Sequence, residues 1–250
     1  PGGRALRRRT LEVTPYAAGV REYASGDALN RIHWPTTARK NRLMVKEFDQ
    51  DPMADVWILL DANDGVQINM PDEAAEVDLA VVERHWIWRQ QQRVELPNQT
   101  FEYAVSAAAS IASYFMRAGR AVGLASAGQA FTALAAERSE RQLGKILETL
   151  AYLQPLGELP MMGLIQAQSP HLPRGSTVIV ITPSLDKMIE AGVEELLRRN
   201  LQPMVVLLDR VSFGGRRHAA DMVTRLRARR VPVAVIHRGD DIRTAIEAGF

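Results

Sequence analysis

Val56-Trp57-Ile58-Leu59-Leu60-Asp61 places five consecutive apolar residues directly before a carboxylate. Such a run is too short for a helix and too apolar for a strand with one wet face, so it reads as a strand covered on both sides. Residues 121–125, 177–181, 204–208 and 231–236 repeat the pattern. Pro232 near the start of the last run marks an edge strand or a strand's first residues, because proline cannot donate to a ladder. Between the runs lie segments of helical period. Thr100 caps a predicted helix through Ala118, with Phe101, Val105, Ala108, Ala112 and Phe115 on one face and Gly119 as its stop. Ser139 and Gln142 make a capping box before Leu143, Ile146, Leu147 and Leu150. Ser184 caps a helix bearing Ile189, Val193 and Leu196 that ends at Asn200; Met222, Val223 and Leu226 mark another, and Asp240 caps a last one with Ile242 and Ile246. Strands alternating with helices predict a Rossmann-like three-layer α/β domain over residues 51–250.

Two stretches break this rhythm. Residues 1–50 contain no clear helix and read as an extended or β arm, with strands around Leu11-Glu12-Val13 and over residues 43–48. Residues 62–99 form a long acidic insertion containing His85-Trp86-Ile87-Trp88; a connection of that length is usually functional or holds structure of its own. The 250 residues include no cysteine, which excludes a disulfide framework, a thiolate metal site and a cysteine nucleophile. No apolar stretch approaches the roughly 20 residues of a transmembrane helix. The net charge of +2 conceals segregation: residues 1–50 carry ten basic and five acidic groups, residues 51–100 three and ten, and residues 201–250 nine and five. Only Lys40, Lys46, Lys145 and Lys187 are lysines. Arginine suits bidentate pairing with carboxylates and phosphates, although a nucleotide bias produces the same exchange.

In an open parallel sheet ligands bind beyond the carboxyl ends of the strands. The residues there are Asp61, Ser126, Thr182-Pro183-Ser184, Asp209 and His237. Asp61 reads equally as a metal ligand or acid and as the cap of a turn with Asn63, Asp64 and Gly65. Asp209 reads as bonding its own loop, and His237, without a partner nearby in sequence, as structural. Gly123 to Gly128 has the glycine spacing of a phosphate loop, but Gln129 and Ala130 stand where the lysine and hydroxyl are needed. No dinucleotide fingerprint, nucleophile elbow or zinc-helix motif is present. The arginines of residues 4–9 fit a polyanion or lipid surface, or a solvated tail. Trp86 and Trp88 fit a partner contact or the domain's own surface.

Residues 20–48 read Val-Arg21-Glu22-Tyr23, Gly26-Asp27, then Asn30-Arg31-Ile-His-Trp34, Ala38-Arg39, and Leu43-Met-Val-Lys46-Glu47-Phe48. This pattern resembles the hallmark segment of the bacterial and archaeal family called domain of unknown function 58. Physically, Arg21, Arg31 and Arg39 interspersed with Glu22, Asp27 and Glu47 can form a charge-paired network. Gly26-Asp27 supplies a turn, and Trp34 before Pro35 an anchored extended kink. The segment then serves as a brace or as an interaction clasp.

The resemblance implies a von Willebrand factor A-type fold, which binds partner proteins through a metal ion at the top of the sheet. The metal motif is degenerate here. Asp61 matches, Asn63 and Gly65 replace two hydroxyl residues, and Thr182 stands where an Asp is expected, so no tight magnesium site and no other cofactor is expected. The resemblance further implies a non-catalytic adaptor, acting with a MoxR-type AAA+ ATPase in assembly or maturation of protein complexes. A membrane anchor upstream would hold the domain on the cytoplasmic face, consistent with the basic start of the chain. The expected interaction rim is Asp61, Asn63, Asp64, Ser126, Thr182 and Ser184, with a protein and not a nucleic acid as partner. The alternative is a Rossmann-like hydrolase or nucleotide-binding enzyme using Asp61 with Asp209.

Overall fold

The computed structural model describes residues 19–23, 32–47, 54–70 and 96–250. The chain divides into two compact units, Pro1–Pro52 and Met53–Phe250. In the first, β1 (Gly19–Glu22) and β2 (Met44–Glu47) form an antiparallel ribbon. Between them lies helix α1 (Trp34–Lys40), where the sequence suggested an arm without one. The His33 ring Nδ1 accepts the Thr36 N–H, Pro35 occupies the first turn where its missing N–H costs nothing, and Asn41 closes the helix in the left-handed region. Seven residues are too few to show helical periodicity. Trp34 therefore starts a helix and is 65% exposed; it anchors no extended kink. The Thr37 hydroxyl accepts the Met44 N–H at 3.0 Å, and Ile32, Met44 and Val45 are buried. The segment around Leu11 lies outside the described residues.

The second unit follows with β3 (Val56–Leu60), a 3-10 turn (Asp64–Val66) and α2 (Thr100–Arg117). Then come β4 (Val122–Ala127), β5 (Phe131–Glu137), α3 (Glu140–Tyr152) and α4 (Met161–Gln168). The chain continues through β6 (Thr177–Thr182), α5 (Met188–Arg198), β7 (Gln202–Leu208), α6 (Ala220–Ala228), β8 (Val233–Ile236) and α7 (Ile242–Glu247). The strands lie in the order β5-β4-β3-β6-β7-β8, all parallel except antiparallel β5. The first strand is central and the chain winds outward to both sides, the doubly wound Rossmann-like arrangement.

Period-two alternation explains why the central strands are apolar throughout. Val56, Ile58 and Leu60 enter one core with Ala104, Ala108 and Ile111 of α2 and Ile146 and Leu150 of α3. Trp57 and Leu59 enter the opposite core with Leu164 and Ile165 of α4, Val193 of α5 and Met222 of α6. Each fully buried Val, Leu, Ile or Met side chain contributes about 1.5–3 kcal/mol against exposure. Pro232 immediately precedes β8, which is the edge strand its presence suggested. Two elements escaped the apolar-run pattern. β5 alternates exposed and half-buried residues along the other edge, and α4 is only eight residues long.

Several predicted caps act differently. Ser139 makes no cap bond to α3; its hydroxyl donates to the Glu137 carboxylate. Gln142 is buried and donates to the Val122 and Ala135 carbonyls at 2.8 and 2.7 Å, stitching α3 to β4 and β5. α5 begins four residues after Ser184 and ends at Arg198. Asp241, one residue beyond the expected Asp240, caps α7 by accepting the Thr244 N–H. Among the described residues no helix is long and apolar enough to cross a membrane.

Candidate functional site

β3, β4 and β6 end side by side, with Leu60 opposite Ser126 on one flank and Ile181 on the other. Asp61, the next residue, is held by its own N–H on the Ile181 carbonyl at 2.9 Å. Its carboxylate points inward and is 2% exposed. The Thr182 hydroxyl donates to Asp61 Oδ2 at 2.5 Å and accepts the Ser184 N–H at 2.9 Å. Asp61 Oδ1 accepts the Asn63 N–H at 3.1 Å. Burial raises the Asp61 carboxyl to about 6, against these hydrogen bonds, which favour its charged form. The Ser126 hydroxyl is spent on the Leu60 carbonyl at 2.9 Å.

A second layer of bonds closes the loops over this centre. The Gln67 amide donates to the Asp61 carbonyl at 2.9 Å, and the Thr100 hydroxyl donates to Gln67 Oε1 and accepts the Ile68 N–H. Thr100 thus ties the 61–70 loop to the first turn of α2 and does not cap its helix. The Met70 N–H donates to Asn98 O, and Asn69 bridges Gln99, so both ends of the 62–99 connection meet at its base. Its central part, with His85, Trp86 and Trp88, lies outside the described residues. Gly157 forms a parallel bridge with Asn63, donating to Ala62 O and accepting from the Asp64 N–H, each at 2.9 Å. A Cβ at Gly157 would stand 1.8 Å from the Ala127 carbonyl oxygen, so only glycine fits. Gln129 clamps the same loop, donating to Tyr152 O and accepting from the Gln154 N–H.

These contacts alter the expected rim. Asp61, Ser126, Thr182 and Ser184 are all buried, because the residues that terminate central strands are covered by the loops they hold. Asn63 is half-buried, and Asp64 and Gly65 are exposed. Beside exposed polar groups such as Asp64, Gln129 and Glu158 stand exposed apolar ones that strand-end logic missed: Phe131, Tyr152, Leu156 and Leu159, on or beside the loops joined by Gln129 and Gly157. The signal for Leu156 and Leu159 was a large apolar side chain in a loop, which a search for polar chemistry passes over; Phe131 and Tyr152 sit at the ends of β5 and α3.

Asp209 and Asp61 hold separate partners. The Asp209 carboxylate accepts the Ser212 and Ala219 N–H groups at 3.3 Å, as a cap of its own loop. Strand β6 lies between β3 and β7, so two strand spacings, about 10 Å, separate the lines on which the two residues stand. His237 does have a partner nearby: its Nδ1 lies 3.1 Å from Asp240 Oδ2, and its Nε2 lies 4.0 Å from Asp209. Gly123 and Gly128, the phosphate-loop lookalike, serve packing. A Cβ at the first would strike the Trp57 ring at 2.7 Å, and one at the second would strike the Gln154 carbonyl at 2.4 Å.

Nor do the residues fit the magnesium ion of von Willebrand A-type sites. Magnesium takes near-octahedral oxygen ligation, whereas here one carboxylate has both oxygens engaged and the threonine hydroxyl already donates to it. Among the described residues no group of three His, Cys, Asp or Glu side chains is placed to hold a metal. In the arm, Glu22 pairs with Arg42 at 2.7 Å, an arginine outside the expected network, and Arg39 is exposed on the last turn of α1. Tyr23 donates its backbone N–H to the Leu43 carbonyl, and Ala38 is an exposed residue of α1. Gly26, Asp27 and Arg31, and the side chains of Arg21, Lys46 and Glu47, lie outside the described residues.

Fold and site together define a Rossmann-like α/β domain whose strand-end carboxylate is satisfied from within. The resemblance carried by the arm is borne out: residues 19–82 match the family model described as protein of unknown function DUF58. The uncharacterized protein YeaD of Bacillus subtilis (strain 168) is 25% identical over 135 residues. That match takes in 54% of this chain and 26% of the relative, so the chain spans about a quarter of that protein's length. Among solved structures, the conserved hypothetical protein BatB from Bacteroides thetaiotaomicron aligns with a TM-score of 0.43 at 14% identity, over 62% of this chain and 67% of that one. An aerotolerance-related membrane protein from Bacteroides fragilis NCTC 9343 aligns with a TM-score of 0.46 at 13% identity, over 78% and 96%.

Proposed function

We propose that this chain is a non-catalytic docking module that recruits a protein partner at the carboxyl end of its sheet. The observation that carries the reading is the pairing of a buried, internally hydrogen-bonded polar centre with exposed apolar side chains. Both oxygens of Asp61 accept hydrogen bonds, from Thr182 and Asn63, while Phe131 at the start of β5, Tyr152 at the end of α3, and Leu156 and Leu159 in the loop after it stand exposed. Large apolar and aromatic side chains are the usual anchors of protein contacts. What favours binding over hydrolysis is that Asp61 and Asp209 share no partner. The resemblance of the arm makes a MoxR-type AAA+ ATPase the partner to test, with the parent protein anchored in the membrane and this domain on its cytoplasmic face.

Surface-immobilised chain and the purified ATPase encoded in the same genome, with and without ATP, supply the test. Saturable binding that is lost in the Tyr152→Ser/Leu156→Ser double variant is expected. Binding that survives the double substitution overturns the surface, and no binding in either nucleotide state overturns the partner. Protease accessibility of the domain in intact cells against inverted membrane vesicles checks the cytoplasmic placement, which requires cleavage in the vesicles alone.

A further inference from the structure

The loops that follow β7 and β8 carry a basic surface at the same end of the sheet as Asp61. Leu208 pairs with Ile236, so the next residues, Asp209 and His237, leave the sheet about 4.8 Å apart. The first loop carries Arg210, Arg216, Arg217 and His218, and the second carries Arg238. Gly214, in the left-handed region at φ 85°, turns the first loop back, and the Gly215 N–H donates to the Arg210 carbonyl at 2.7 Å. The Arg238 N–H donates to the Ser212 hydroxyl at 3.0 Å and ties the second loop to the first. Arg216, Arg217 and Arg238 are exposed, and Arg210 is half-buried. None of these four arginines forms an ion pair with a described residue, whereas Arg225 and Arg229 hold Glu190, and Arg198 and Arg199 share Glu195.

The carboxylates of these loops are committed elsewhere. Asp209 accepts the Ser212 and Ala219 N–H groups. Asp240 accepts the His237 N–H at 2.8 Å and, with Asp241, lines the groove between β8 and α7. Asp221, in the first turn of α6, forms no ion pair with the four arginines. Gly214 and Gly215 lie against the side chains of Met70 and Ile68, which sets the arginine loop beside the 61–70 loop. β7 is on one side of β3, and β5, which begins at the exposed Phe131, is on the other. We infer that this end of the sheet is a two-part docking face and that the partner segment it takes bears carboxylates beside apolar side chains, an inference that rests on the docking reading above. Arg210, Arg216, Arg217 and Arg238 pair with the carboxylates, because the guanidinium fork matches them bidentately. Arginine and aromatic residues are also the types enriched where proteins meet. The intervening acids Asp209 and Asp240 break the basic charge into separate points, which fits discrete carboxylates better than the continuous charge of a nucleic acid.

Fluorescence anisotropy at low salt tests this, with a short labelled peptide of Glu, Gly and Leu and its counterpart in which every Glu is Gln. Saturable binding of the Glu peptide that weakens with salt is expected, with none for the Gln peptide. The Arg216→Glu/Arg217→Glu double variant lowers the affinity about tenfold, while its circular dichroism and thermal midpoint stay those of the parent, since both side chains are exposed. Arg198→Glu/Arg199→Glu makes the same change of net charge at arginines already paired with Glu195 ahead of β7, and leaves the affinity within about twofold. Absence of binding, equal binding of the two peptides, indifference to the 216/217 exchange, an equal loss in the 198/199 variant, or tighter binding of duplex DNA each overturns the inference. The two proposals fail separately. ATPase binding that depends on Tyr152 and Leu156, without peptide binding, removes the acidic segment alone; peptide binding without ATPase binding removes the named partner alone.

Discussion

Asp61 is a carboxylate at the end of a strand that is wholly buried, and water is replaced there by one hydroxyl and one peptide N–H. Its raised pKa has a defined consequence for stability. Between the ordinary value of 3.8 and about 6 the folded chain holds a proton that the unfolded chain has released. Stability from this group is therefore fully present below pH 3.8 and falls as pH rises toward 6, by about 3 kcal/mol in all. Asp61→Asn keeps an acceptor for Thr182 and removes the titration. Urea unfolding at pH 4 and pH 7 is expected to show a smaller fall for the variant than for the parent. An equal fall in both would assign the pH dependence elsewhere. Gly157 is a second residue with a sharp expectation. Gly157→Ala forces a methyl into the Ala127 carbonyl and should lower stability by about 1–3 kcal/mol, seen as a reduced thermal midpoint. None of this was legible at Gly157, because a glycine in a loop carries no sign of which backbone crosses it.

At the level of elements, the parallel strands announce themselves because both their faces are covered, so each reads as an unbroken apolar run. β5 and α1 do not. β5 is an edge strand with one half-buried face, and α1 is held by local caps and by two bonds to Met44, from the His33 N–H to its carbonyl and from its N–H to the Thr37 hydroxyl, with no amphipathic stripe. Gln142 shows how a motif can be present and used otherwise. Three residues after a serine it has the spacing of a capping box, but α3 lies against β4 and β5, and two strand carbonyls are better partners than a solvated helix end. Gln142→Ala leaves both carbonyls without that donor and is expected to cost about 1–3 kcal/mol, measured by urea unfolding. Ser139→Ala, whose hydroxyl makes no cap bond to α3, should change stability by no more than about 0.5 kcal/mol.

Over the whole chain, basic and acidic blocks alternate, which suits contact with another folded surface better than with a polyanion. Weak retention on heparin with a shallow salt dependence is the expected outcome; a steep fall of affinity with salt would point to nucleic acid instead. Sequence by itself determined the strand-helix alternation, the place of Asp61 directly after an apolar strand, and the arm motif, because burial period and motif spacing are written residue by residue. Only the tertiary structure decided what Asp61 touches, that Ser126, Thr182 and Ser184 are buried, and that Asp61 and Asp209 hold separate partners. Those facts depend on which strands lie side by side: Thr182 reaches Asp61 because β6 pairs with β3 across 121 residues of chain, and no local pattern encodes that pairing.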